Sequence, residues 1–146
     1  MKSLLAAGIP VTLDITFYYG AWNHREASDL GINRDIDAWN HGVVGFPEPG
    51  SVDEASSRTK PAGHSILLVG YDDRAIVQTH VQMSDGTEKD FTYTGVYYFK
   101  NSWGTSSFGS QFSIEGSAYA GYGAITQKYA HAYGSFFQFP LSAAAY

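Results

Sequence analysis

Two short stretches carry side chains that could move a proton. AGHSILLVGYDD (residues 62–73) sets His64 at the head of an apolar run, and GVYYFKNSWGTSSFG (95–109) sets Asn101 and Trp103 just after another. An imidazole, with an ordinary pKa of about 6.5, serves as acid or base near neutral pH and contributes roughly 10²–10⁴-fold in rate. It works best when one ring nitrogen is fixed, and the carboxamide oxygen of an Asn can fix it by accepting the other N–H. An indole laid over that hydrogen bond keeps water away and strengthens it. The chain contains no cysteine, so a cysteine nucleophile, disulfides and thiolate metal sites are all excluded within it.

The pattern around these residues predicts strands. Residues 64–71 are a short apolar run ending in Gly, read as a buried strand. Residues 74–83 and 91–99 read as two further strands about the turn SDGTEKD, in which Asp85-Gly86 is a hairpin signal. Upstream, 1–8 reads as a short helix closed by Gly8 and stopped by Pro10. Residues 11–19 alternate in strand fashion, Val11, Leu13, Ile15, Phe17 and Tyr19 against Thr12, Asp14, Thr16 and Tyr18. Residues 20–62 read as irregular, and the Pro-, Gly-, Ser- and charge-rich part after Pro47 as a surface loop. Short strands are expected at 112–115 and 121–126, followed by one helical turn and a last strand within QKYAHAYGSFFQF. The expected fold is a single α+β domain over residues 1–146, a twisted antiparallel sheet or partial barrel with a short N-terminal helix.

Composition supports a folded, β-rich chain. Its 146 residues suffice for one domain, and 44% are hydrophobic against 16% charged, which excludes intrinsic disorder. Aromatics reach 16%, with 16 glycines, favouring strands and turns. Net charge is −5 with no Lys/Arg cluster, so nucleic acid is not an expected partner. MKSLLAAGIPVTL imitates a signal peptide, but Pro10 and Asp14 break its apolar run and no clean small-residue cleavage site follows. No apolar run approaches the ~18 residues of a membrane span.

In these features the chain resembles the C-terminal half of a papain-like cysteine peptidase. His64 opening a strand that ends in Gly70-Tyr71, the run Lys100-Asn101-Ser102-Trp103-Gly104, the entry LLAAGIPV and the segment HGVVGFP all have counterparts in that family. GYGAITQKYA is similar to a later Gly-Tyr strand found especially in bacterial relatives. The resemblance implies His64 as catalytic base, Asn101 as its orienter and Trp103 as the shield. It implies substrate contacts at Ala62, Gly63 and Ser65, and at Phe108, expected to wall the leaving-group side. It also places Asp14 where the family has a small or apolar pocket residue. An Asp14 facing that pocket would favour basic side chains. The family's cysteine and its oxyanion Gln belong to a helical N-terminal half without counterpart in these 146 residues. Alone, the chain is therefore expected not to hydrolyse peptides.

Two functions follow from the resemblance. The chain is either the His- and Asn-bearing part of a cysteine peptidase, or a non-catalytic remnant that binds a peptide or protein. The expected partners are a peptide or protein substrate and a Cys-bearing half, another chain or a second copy, covering an otherwise apolar face. No cofactor is expected. His24, Glu26, Asp29, His41 and His80 have ligand side chains but form no closed metal pattern, so no metal is expected either. Asp72-Asp73 reads as a turn with local backbone hydrogen bonds. His131 reads as structural or exposed. Trp22 and Trp39 lie in predicted loops, able to cover the core or to meet a partner.

Overall fold

The structure, a computed structural model, describes residues 1–138. Helix α1 (Lys2–Ala6) closes as expected: Gly8 turns left-handed (φ 76°) and Ile9 N–H donates back to Leu4 O at 2.9 Å. Pro10 redirects the chain into β1 (Val11–Thr16), whose Val11, Leu13 and Ile15 are buried. This strand ends three residues before the alternation does. Its ladder donors are taken over by side chains, Tyr18 N–H donating to Tyr129 Oη and Tyr19 N–H to Ser57 Oγ, each at 3.0 Å. Phe17, Tyr18 and Tyr19 are consequently all buried.

The stretch expected to be irregular is a series of single capped turns. It holds a 3-10 turn (Arg25–Leu30), α2 (Ile36–Asn40), β2 (Val43–Val44) and α3 (Val52–Ser57). His24 Nδ1 caps the first by accepting Glu26 N–H, Asp35 Oδ1 accepts Ala38 N–H, and Ser51 Oγ accepts Glu54 N–H. Helices this short are not stable in isolation, so packing must hold them. The part expected to be a surface loop in fact buries Glu48, Ser51, Asp53 and Ser57. Asp53 is the anchor. Its Oδ1 accepts Gly20 N–H (2.8 Å) and the Ser57 hydroxyl (2.7 Å), and its Oδ2 accepts Ala21 N–H (2.8 Å).

The next two expected strands, 64–71 and 74–83, are one: β3 (Gly63–Gln82), bent by register shifts at Leu68/Gly70 and Asp72/Ile76. Asp72 Oδ1 accepts the N–H groups of Arg74 (2.8 Å) and Ala75 (3.2 Å), so the expected local turn sits inside the strand as a bulge. The Asp85-Gly86 hairpin forms as expected and leads into β4 (Glu88–Lys100). A two-stranded ribbon, β5 (Ser113–Ile114) with β6 (Ser117–Ala118), precedes β7 (Tyr122–Thr126). Helix α4 (Gln127–Tyr133) is longer than the single turn expected, and β8 (Gly134–Phe137) follows it. The end of that expected strand, Phe139, lies outside the described residues.

The main sheet runs β2-β7-β4-β3-β1-β8, antiparallel except for β2 against β7. The chain is thus α+β and mostly sheet, in line with the expected class. The inner face packs Leu13, Ile15, Leu68, Tyr97, Phe99 and Ile125 against α4 and the capped turns. Fully buried Tyr129 closes one end, donating its hydroxyl to Thr16 O at 2.7 Å. The outer face is partly apolar. Register aligns Phe137, Thr12, Leu67, Lys100 and Tyr122 across five strands, and Leu67, Val69 and Phe137 are exposed. Among the described residues, no helix is long and apolar enough to cross a membrane.

Candidate functional site

His64 is the second residue of β3, and Asn101 follows the last residue of β4. The two strands are antiparallel with Leu67 opposite Lys100. Continuing that register brings residues 101–103 level with 64–66, although they are far apart in sequence. His64 Nε2 lies 2.9 Å from Asn101 Oδ1. The Trp103 ring stacks on the imidazole, centroids 4.6 Å apart and planes 22° apart. The three residues chosen from sequence for proton transfer are therefore in contact.

The hydrogen bonds fix which imidazole nitrogen carries the proton. Asn101 Oδ1 also accepts Ser102 N–H at 2.8 Å. Flipping the amide would aim its NH₂ at that N–H, so Oδ1 must face it. Oδ1 has no hydrogen, so His64 Nε2–H is the donor in the pair. In neutral His64 the lone pair is thus on Nδ1. Burial lowers the His64 pKa below its ordinary 6.5, and the Asn101 hydrogen bond opposes this by favouring the protonated ring. Asn101 is itself buried, and its Nδ2 has no hydrogen-bond partner among the described residues.

Around the pair is an aromatic nest that sequence reasoning missed. Phe17 and Trp22 meet the imidazole edge-on, with centroids 6.0 and 5.4 Å away. Trp39 stacks on Trp103 at 5.6 Å. His24 approaches Trp103 at 5.7 Å, and burial lowers its pKa. His24 joins His64 and Trp103 in the wall of one open cleft, together with Phe17, Glu26 and Lys60. Glu26 and Lys60 form an ion pair at its rim. Trp22 and Trp39 are buried, which answers their role in the loops: both cover the core. The available sequence signal was the spacing of aromatics in TFYYGAWNH, but no periodicity says which of them turn inwards.

The substrate-facing candidates divide into three groups. Ala62 and Gly63 are exposed and line the cleft beside His64. Asp14 and Ser65 do not line that cleft. They sit opposite each other on β1 and β3, on the outer face, and the Ser65 hydroxyl donates to Asp14 Oδ1. Strand alternation puts His64 and Ile15 on the inner face and this pair on the other. Phe108 departs from its expected role. At 1% exposure it is core, packed edge-on beneath Trp103 at 5.8 Å, and as placed it props the indole instead of walling the cleft.

Other polar candidates have structural work. His131 Nε2 pairs with the Tyr97 hydroxyl at 2.7 Å. His80 bridges Asp90 and Glu88 on the exposed hairpin. Among the described residues, no group of three or more His, Asp or Glu is gathered as metal ligands would be.

Compared with known proteins, the chain matches no family model and no curated sequence.

Proposed function

We propose that this chain supplies the acid–base half of a papain-like cysteine peptidase and is inactive without a Cys-bearing partner. One observation carries the reading: His64 is held through Nε2 by Asn101 beneath a stacked indole, which leaves Nδ1 for a second group. A free thiol, with a pKa of about 8.5, is only slightly ionised at neutral pH. A thiol brought to Nδ1 would pass its proton there, and the resulting imidazolium would stabilise the thiolate. The thiolate then attacks a peptide carbonyl. The imidazolium returns the proton to the departing amine, and water later hydrolyses the thioester with His64 again as base.

The neighbours support those steps. Low dielectric around His64, made by Phe17, Trp22 and Trp103, strengthens both the Asn101 bond and an ion pair at Nδ1. The cleft beside Ala62 and Gly63 is open, so an extended substrate can reach the ring. The outer face is partly apolar, with Leu67, Val69 and Phe137 exposed, and suits a covering partner.

The test is reconstitution. The chain is mixed with a helical half carrying an upstream Gln and a Cys at a helix start, and peptide hydrolysis is followed. The reading expects activity that needs both chains and is abolished by a thiol-blocking reagent. A well-formed complex without thiol-dependent hydrolysis would contradict it and leave the chain as a binding module.

A further inference from the structure

A second cavity, of about 200 Å³, lies apart from the His64 cleft, between the 20–46 segment and residues 78–82 of β3. Ile32, Val43 and Phe46 give it an apolar wall. Arg34 gives it a cation. The guanidinium is placed by Nε, which donates to Asn23 O, and it lies over the Trp39 ring, 5.3 Å from its centroid. Among the described residues its two terminal amino groups have no hydrogen-bond or ion-pair partner, so the donor fork is held but unused.

The acidic groups in the same lining are already engaged. Asp53 accepts from three donors, and Asp35 Oδ1 caps α2. Thr79 adds a hydroxyl to the wall, buried without a well-formed hydrogen bond although it sits near Tyr93. His80, at the rim, is held by Glu88 and Asp90.

We propose that this cavity binds a small monocarboxylate with an apolar tail, its carboxylate on the Arg34 fork and its tail on Ile32, Val43 and Phe46. A guanidinium pairs two parallel N–H groups with the two oxygens of a carboxylate, a geometry that neither a neutral amide nor an amine can match. The one cation pairs a single negative charge, and the carboxylates of Asp35 and Asp53 in the same lining disfavour a second. The small volume excludes a peptide chain.

The experiment uses the whole chain. Butanoate and benzoate are titrated by calorimetry and by tryptophan fluorescence, with butanamide, butylammonium and inorganic phosphate as comparators. Saturable one-to-one binding is expected for the carboxylates and at least about tenfold weaker binding for each comparator. Arg34→Gln should weaken butanoate by at least about tenfold, with Arg34→Lys intermediate. Amide chemical-shift changes in the unmodified chain should centre on residues 33–35 and 78–82, which keeps the test sound if Arg34→Gln folds poorly. Failure to saturate in the millimolar range overturns the proposal. So do comparators that bind as well, an unaltered affinity in a folded Arg34→Gln, or shift changes centred elsewhere. These outcomes are distinguishable from those of the peptidase test, since no residue lines both the cavity and the His64 cleft.

Discussion

At His64, two opposing influences set the proton affinity, and they can be removed separately. Burial lowers the pKa and the Asn101 hydrogen bond raises it. Asn101→Ala should therefore move the His64 pKa further down, and Trp103→Ala, by admitting water, should move it up. A pH titration of the imidazole NMR signals reads both, and shifts in the reverse directions would refute the assigned geometry. The same depression couples to stability. The unfolded ring, with the ordinary value of 6.5, binds its proton at higher pH than the folded ring. The stabilisation is thus present above about pH 6.5 and is lost as pH falls from there through the folded value. His24 and His131 are lowered by burial too and act in the same direction. Asp53 and His80 oppose them, because burial raises the pKa of Asp53 and the Asp90 and Glu88 carboxylates raise that of His80, so protonation of either on acidification favours the folded state. Between pH 7 and pH 5 the melting temperature of the parent chain should drop relative to that of His64→Phe. An equal change in both would contradict the linkage.

At the scale of elements, the site depends on how the 17–22 segment is tethered. Asp53 on α3 receives the N–H groups of Gly20 and Ala21, the residues just before Trp22. Asp53→Ala would leave those buried donors and the Ser57 hydroxyl without an acceptor, at roughly 1–3 kcal/mol for each unsatisfied group. A net loss of about 2–5 kcal/mol is expected in urea unfolding, with a displaced His64 resonance as Trp22 loosens. A loss under 0.5 kcal/mol would show that the tether is idle. The same comparison explains what was legible in the sequence. His64, Asn101 and Trp103 could be paired through the resemblance of the His64 and Lys100–Gly104 motifs to the papain-like pattern, since the strand reading itself kept 64–71 apart from the Asp-Gly hairpin. The buried face of β1 was legible from its alternation. Asp53 was not, since a carboxylate among Ser, Gly and Pro reads as solvated until its backbone donors, 32 and 33 residues away, are seen. The join of β3 across Asp72 was hidden for a related reason, because local hydrogen bonds of one Asp describe a turn and a bulge equally well. Phe108 shows the limit of carrying a role across by position. One packed aromatic beneath Trp103 serves the fold whether or not a pocket lies nearby.

At the scale of the molecule, the proposed function requires a partner that reaches His64, and the exposed apolar side chains of the outer sheet face offer it a surface to dock on. Leu67 is 38% exposed at the centre of that face, in register with Phe137 and Tyr122. Leu67→Lys should alter the stability of the isolated chain by no more than about 0.5 kcal/mol, as for an ordinary surface substitution. It should also weaken association with a Cys-bearing half by at least tenfold, or about 1.4 kcal/mol. Unchanged association, measured by sedimentation, would move the interface elsewhere. The most direct test of the central claim is the His64 pKa in the assembled pair. With the Cys-bearing half docked, a thiolate next to Nδ1 should raise that pKa above the value in the isolated chain, and replacing the Cys by Ala should abolish the rise. A His64 pKa that is unchanged or lower in a fully formed complex would contradict proton transfer to Nδ1, and with it the proposed role of this chain.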